Sequence, residues 1–522
     1  MCRLICLLFL FSRAIFAANL IVVNDTSKQL RLCQSHLAGN TIPADRVHNL
    51  GPQFIPHRRG ALDADHRVIG VALNPQIHTG DFEGNAFHIL DMTSGQVVTD
   101  TQRLIASAKA ALATHEPRPL ADFEPRFGVL SPTTPEFIYS LATSWNENCV
   151  ISFNYETGQS VILARDANTN SLWMRKIEIA YDRYVVSHYT DRERTFYSFY
   201  DLALQRNLKV IAPGTSELRI SQDGQRLLQT EEKSADRNTF FVSARFKLKN
   251  KWPEFIDLHE QKHDVEFDGA VVAAAGDLSR VVVDRSNGQT NNSYELYGTP
   301  WLAPDLALVR IAGDGRHTIK GLAGWTPILA KIRAAAKQGL ILPLDSTKGM
   351  MSSDGKNFVF NLEFRSKVTL QDGAYQSAQL FDQNWIGFWD LNSGRKPSEI
   401  TSKIFDTTFD QEQNPSTYTD GDKAPFWNRK IATRMLPSGL LLVARATVET
   451  LQDGYGNVHI KLLAFAPDAP PTSYLEYSTG PIHLNPTGLP SFTGVRNLQI
   501  GASGRTVIFH IQGVGTQLID LR

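Results

Sequence analysis

Ser352-Ser353-Asp354-Gly355-Lys356-Asn357-Phe358-Val359-Phe360 is the stretch on which the fold turns. An Asp-Gly pair supplies the positive φ that a tight hairpin needs, and the apolar and aromatic run behind it suits a pleated, half-buried surface. The stretch predicts a turn that hands the chain into a strand. A second strand follows at Trp385-Ile386-Gly387-Phe388-Trp389-Asp390, and Leu391-Asn392-Ser393-Gly394 closes it with a polar turn.

This unit of turn, strand, loop, strand and polar turn recurs along the chain. Towards the N-terminus it is met at 66–72 with 87–95, at 137–139 with 150–158, at 184–186 with 196–202, at 221–228 with 240–242, and at 277–283 with 294–297. Towards the C-terminus it is met at 437–443 with 460–463 and at 502–509 with 517–521. The anchors are spaced by roughly 40 to 85 residues, longer than a bare four-stranded propeller unit, so insertions lengthen the loops. Many short strands with regular turn signals leave a sandwich, a barrel or a propeller, and repetition from end to end favours the propeller. The last copy offers only two strands, and a lone hairpin is marginal in water. Leu20-Ile21-Val22-Val23 and Leu30-Arg31-Leu32 are expected to complete that sheet and close the ring.

Ser352-Ser353-Asp354-Gly355-Lys356 and Ser221-Gln222-Asp223-Gly224-Gln225 carry a resemblance to TolB-like and WD-repeat-like β-propellers, whose blades place a Ser-x-Asp-Gly-Lys type turn before an inner strand. The resemblance implies an all-β chain forming a single β-propeller of seven or eight four-stranded blades over residues 19–522. It transfers no specific partner, because no Trp-Asp strand ending comes with a preceding Gly-His. Two segments read as short helical insertions by propensity and spacing, 101–115 and 327–340. They are expected to cap a propeller face.

Composition narrows the function class. Hydrophobic residues make up 42% of the 522 and charged residues 20%, which argues against a disordered, collagen-like or multi-span membrane chain. Lys+Arg and Asp+Glu number 53 each, so no global field gathers nucleic acid or anionic lipid. The N-terminus reads Met1-Cys2-Arg3, then an apolar run from Leu4 to Phe11, then Ser12-Arg13-Ala14-Ile15-Phe16-Ala17-Ala18, with small residues before the polar Asn19. That is the secretory pattern, over a run shorter than the ~20 residues a membrane span requires. Residues 1–18 are therefore expected to be a signal peptide, and the remainder a monomer in the periplasm or outside the cell, not a transmembrane protein. Of the four cysteines, Cys33 and Cys149 remain after its removal; the reading leans to a disulfide between them, with two buried thiols as the alternative.

Chemistry is sparse. His259-Glu260-Gln261-Lys262-His263 matches His-Glu-x-x-His, which on a helix would put His259 and His263 on one face as zinc ligands with Glu260 as general base. Against it, Asp264-Val265-Glu266-Phe267 already alternates like a strand, and only Glu295 offers a third ligand downstream. A zinc-dependent peptidase is thus the alternative to a non-catalytic scaffold that binds a protein partner or a small ligand on a propeller face. Asp406, Asp410, Glu412, Asp420 and Asp422 offer oxygen ligands for calcium, but their spacing fits no EF-hand loop, and a polar surface loop is the preferred reading. The run Tyr181, Tyr184, Tyr189, Phe196, Tyr197, Phe199, Tyr200 is read as packing between blades in preference to a stacking platform.

Overall fold

The computed structural model describes short stretches of residues 22–113 and most of 123–243, 262–400 and 429–520; residues 1–21, 244–261 and 401–428 lie outside the description. The chain forms an all-β β-propeller, as the turn-and-strand repeat predicts. Eight four-stranded antiparallel sheets are built among the described residues, and the chain divides into two compact units, Gln53–Ile400 and Met1–Pro52 with Thr401–Arg522.

In the Gln53–Ile400 unit, five blades follow one another in unbroken succession. Their first strands are Phe123–Leu130, Trp173–Ala180, Thr215–Ile220, Ala270–Ala274 and Ile341–Met351. This run of five corrects the expectation of seven or eight like blades. The anchors mark hairpin turns, and a hairpin recurs in any four-stranded meander, whereas membership of a ring is set by packing. The earliest anchor belongs to a sheet that opens with the two-residue strand Ile55–Pro56, and the last two belong to the other unit. A further correction falls at 294–297, which forms a separate two-stranded ribbon, Ser293–Leu296 with Thr299–Leu302, and not a blade strand. The third strand of the fourth blade is Leu306–Ile311.

Apolar contact between neighbouring blades holds this unit. Val129, Ile138 and Val150 of the first blade meet Ile177, Val185 and Tyr200 of the second in one buried cluster, each side chain contributing about 1.5–3 kcal/mol by leaving water. Leu228 and Phe267 of the third blade do the same against Val281, Val283 and Val309 of the fourth. The first strands of the fourth and fifth blades approach closely. A Cβ at Gly349 of the fifth blade would overlap Val272 of the fourth, so only a glycine fits there.

Both helical expectations hold with shifted ends. Helix α1, Thr101–Ala113, starts at Asp100, whose Oδ1 accepts the Arg103 N–H at 2.8 Å as an N-cap. Its buried face, Leu104, Ala108 and Leu112, packs on the first blade, and the Tyr139 hydroxyl donates to the Leu104 carbonyl at 3.1 Å. Helix α2, Trp325–Lys337, is seated by its first residue. The Trp325 ring lies 5.4 Å from Phe360 and 5.7 Å from Trp385, and its Nε1 donates to the Pro304 carbonyl at 2.9 Å.

The second unit holds two sheets, one of Arg429–Met435, Leu441–Thr450, Tyr455–Phe465 and Thr472–His483, the other closed between the two parts of the sequence. Val47–Gly51 pairs antiparallel with Gly515–Asp520, Val47 opposite Ile519. The N-terminal part of the chain thus completes that sheet as expected, but with a different strand. Val22–Asn24 and Gln29–Arg31 pair with each other, because their short separation makes a local hairpin the cheaper partner.

Candidate functional site

Where the first and second strands of the third, fourth and fifth blades meet, a four-residue turn closes on itself. The Ser221 carbonyl accepts the Gly224 N–H at 2.9 Å, Ala275 that of Leu278 at 3.0 Å, and Ser352 that of Gly355 at 2.9 Å. The last turn position is left-handed, with φ of 73° at Gly224 and 67° at Gly355. Leu278 adopts φ 59° in the glycine's place and is fully buried.

These turns are bonded from blade to blade. Gln222 N donates to the Gly276 carbonyl at 2.6 Å, and Gly276 N donates to the Ser353 carbonyl at 2.9 Å. Arginines at the start of the second strands repeat the link, Arg226 Nη1 to the Asp277 carbonyl and Arg280 Nη1 to the Gly355 carbonyl, each at 3.0 Å. One blade earlier, Arg183 Nη1 reaches the Gln222 carbonyl at 3.3 Å while its Nε and Nη2 fork onto buried Asp201, the shortest contact being 2.7 Å. The hydrogen bond to Asp201 raises the Arg183 guanidinium above its already high pKa. Four successive blades are therefore tied at one end of their strands, through backbone groups that tolerate little movement.

The face so formed is polar, with Gln222, Asp223, Asp277, Asp354 and Lys356 exposed. Its carboxylates serve the turns. Asp277 Oδ1 accepts from Ser279 N at 3.0 Å and Ser279 Oγ at 2.7 Å; Asp354 Oδ1 accepts from Ser352 Oγ at 2.7 Å and Lys356 N at 3.0 Å. Partial burial opposes ionisation of Asp354, but the bonds from Ser352 and Lys356 outweigh it and hold the carboxyl below its usual range. Burial pushes the Tyr181 phenol beside these turns up to about 12, although the Arg219 charge pulls the other way. An ionised, turn-bound carboxylate and a neutral phenol suit recognition by hydrogen bonding more than proton transfer near pH 7.

The sequence-predicted residues are not gathered into one site. Lys262 and His263 open the strand Lys262–Asp268, with His263 opposite Phe241, so the helix that would align His263 with His259 does not extend to it; His259 and Glu260 lie outside the described residues. Glu295 sits in the two-stranded ribbon opposite Pro300. Cys149 is buried in the core under α1, and Cys33 lies outside the described residues. Asp406, Asp410, Glu412, Asp420 and Asp422 also lie outside them, as do residues 1–18. Of the aromatic run, Tyr184, Phe199 and Tyr200 are buried, which is the packing role expected. The arginine links were missed, since Arg226 and Arg280 reveal their targets only once the next blade is in place.

No family model matches the sequence, and no curated protein does. Similar solved structures include the β-propeller domain of the Trilobed protease from Pyrococcus furiosus, with 10% identity over 78% of this chain and 94% of that one and a TM-score of 0.35. TolB from Acinetobacter baumannii matches with 12% identity over 79% and 82% and a TM-score of 0.27. Prolyl oligopeptidase B from Galerina marginata matches with 9% identity over 89% of this chain but only 55% of that longer one, at a TM-score of 0.41. The likeness is one of fold. Among the described residues no helix is long and apolar enough to cross a membrane.

Proposed function

We propose that this chain is an exported, non-catalytic propeller scaffold of the periplasm or cell envelope that binds a protein partner or ligand through the face of linked turns. The observation that carries the reading is the pair of backbone bonds from Gln222 to Gly276 and from Gly276 to Ser353. A face already fixed by its own backbone loses little freedom when a partner docks, so more of the contact energy appears as affinity. The N-terminal secretory pattern supplies the compartment.

The test uses the full chain produced in a bacterial host. Sequencing of the recovered protein is expected to begin at Ala18 or Asn19. A photo-crosslinking side chain placed at Gln222 is expected to trap a defined envelope protein that the same group at Lys109 on α1 does not. Retention inside the cell with the first residues intact would overturn export, and equal trapping at both positions would overturn the turn face. Turnover of a peptidase or esterase substrate by the purified protein would overturn the non-catalytic role.

A further inference from the structure

A cavity of about 410 Å³ opens beside the outer strand of the fourth blade, His317–Gly321, facing the turn that ends the third strand of the fifth blade. Three cations line it from three separate segments: Arg310 on Leu306–Ile311, Lys320 on His317–Gly321, and Arg395 in the turn after Asp390. All three are exposed. A single carboxylate, Asp390, lines it with them, and that one is engaged by its own turn, accepting from Asn392 N at 2.9 Å and Ser393 N at 3.3 Å. Among the described residues neither Lys320 nor Arg395 has an ion-pair partner, and Arg310 spends one donor, Nη2, on the Leu391 carbonyl at 3.3 Å.

Three cations against one carboxylate leave the lining with an excess of positive charge, which an anion among them offsets. The rest of the lining fits a carbon body. Trp389 and Leu308 are buried in the wall, Leu308 standing directly opposite Lys320 on the same face of the sheet. The volume falls in the range of ~300–1,000 Å³ typical of small-molecule sites.

We infer that this cavity binds a small amphipathic organic anion, its carboxylate or phosphate held by Arg310, Lys320 and Arg395 and its apolar body laid against Leu308 and Trp389. The inference is independent of the turn face and of any protein partner.

Titration calorimetry on the full chain tests it with four probes: octanoate, octyl phosphate, octanol and inorganic phosphate. Saturable one-to-one binding is expected for octanoate or octyl phosphate, and whichever of the two binds more tightly identifies the headgroup; octanol and inorganic phosphate, each carrying half of the chemistry, are expected to bind at least tenfold more weakly. The double variant Lys320→Glu, Arg395→Glu, with both side chains exposed, is expected to keep the wild-type melting temperature and to lose at least tenfold in affinity. Lys109→Glu, the same kind of charge change on α1, is expected to leave binding unaltered. Failure of both amphipathic anions to bind the folded wild type overturns the proposal, as does equal binding by the double variant. Equal binding of octanol overturns the cationic part.

Discussion

Replacing Gly276 by alanine puts the linkage between turns to a direct test. Gly276 is buried, and a Cβ there would stand 2.8 Å from Gln222 Oε1 and 2.9 Å from the Ser353 carbonyl oxygen. The glutamine side chain can swing away into solvent. The Ser353 oxygen cannot, because it is the acceptor of the Gly276 N–H at 2.9 Å. Ordinary contact requires a retreat of about half an ångström, which weakens that hydrogen bond, worth about 1 kcal/mol, and strains packing by about 1–3 kcal/mol. Restricting the unfolded chain returns about 0.4–1 kcal/mol, so the net loss is about 1–3 kcal/mol. Gly313→Ala is the reference, since nothing lies within 4 Å of its Cβ position and its φ is not left-handed; it is expected to be neutral or stabilised by up to about 1 kcal/mol. Urea denaturation followed by tryptophan fluorescence gives both values, with the midpoint of Gly276→Ala falling at unchanged slope. Equal midpoints for the two variants would refute the close register of the turns.

Two further outcomes follow from the same region. Arg280→Ala removes Nη1 bonds to the Gly355 carbonyl at 3.0 Å and to Asn392 Oδ1 at 2.7 Å, and a loss of about 1.5–3 kcal/mol is expected in the same denaturation assay. Burial holds the phenols of Tyr181 and Tyr184 up to about 12 in the folded chain, against an ordinary value of 10.0. Above the unfolded pKa the unfolded chain has lost protons that the folded one keeps, so their contribution is fully present below pH 10 and declines from there to about 12; a denaturation midpoint that stays flat from pH 9 to 11 would contradict it.

What the sequence disclosed and what it withheld follow from the range of the interactions. Asp354-Gly355 and Asp223-Gly224 announce their turns because the required φ is a local property that glycine advertises. At Asp277-Leu278 the same turn is built with a leucine at φ 59°, held there by burial, and no local signal marks it. The 327–340 segment was legible as a helix by its alanines, but its start at Trp325 depended on rings from the fifth blade. The anchors overcount blades because turn spacing records hairpins, whereas membership of the ring is set by packing. The cavity was invisible for a like reason: Arg310, Lys320 and Arg395 are ordinary scattered cations until the two blades bring them together.

The pairing of Val47–Gly51 with Gly515–Asp520 sets a schedule as well as a shape. Strands separated by roughly 460 residues meet only against a loop-closure entropy of about 5 kcal/mol, some 4 kcal/mol more than a tight hairpin. Val47–Gly51 cannot pair until Gly515–Asp520 has left the ribosome, whereas the four strands of each of the five successive blades lie close together in sequence. Synthesis therefore leaves Val47–Gly51 without its partner almost to the end, and pairing with Gly515–Asp520 closes that vulnerable interval.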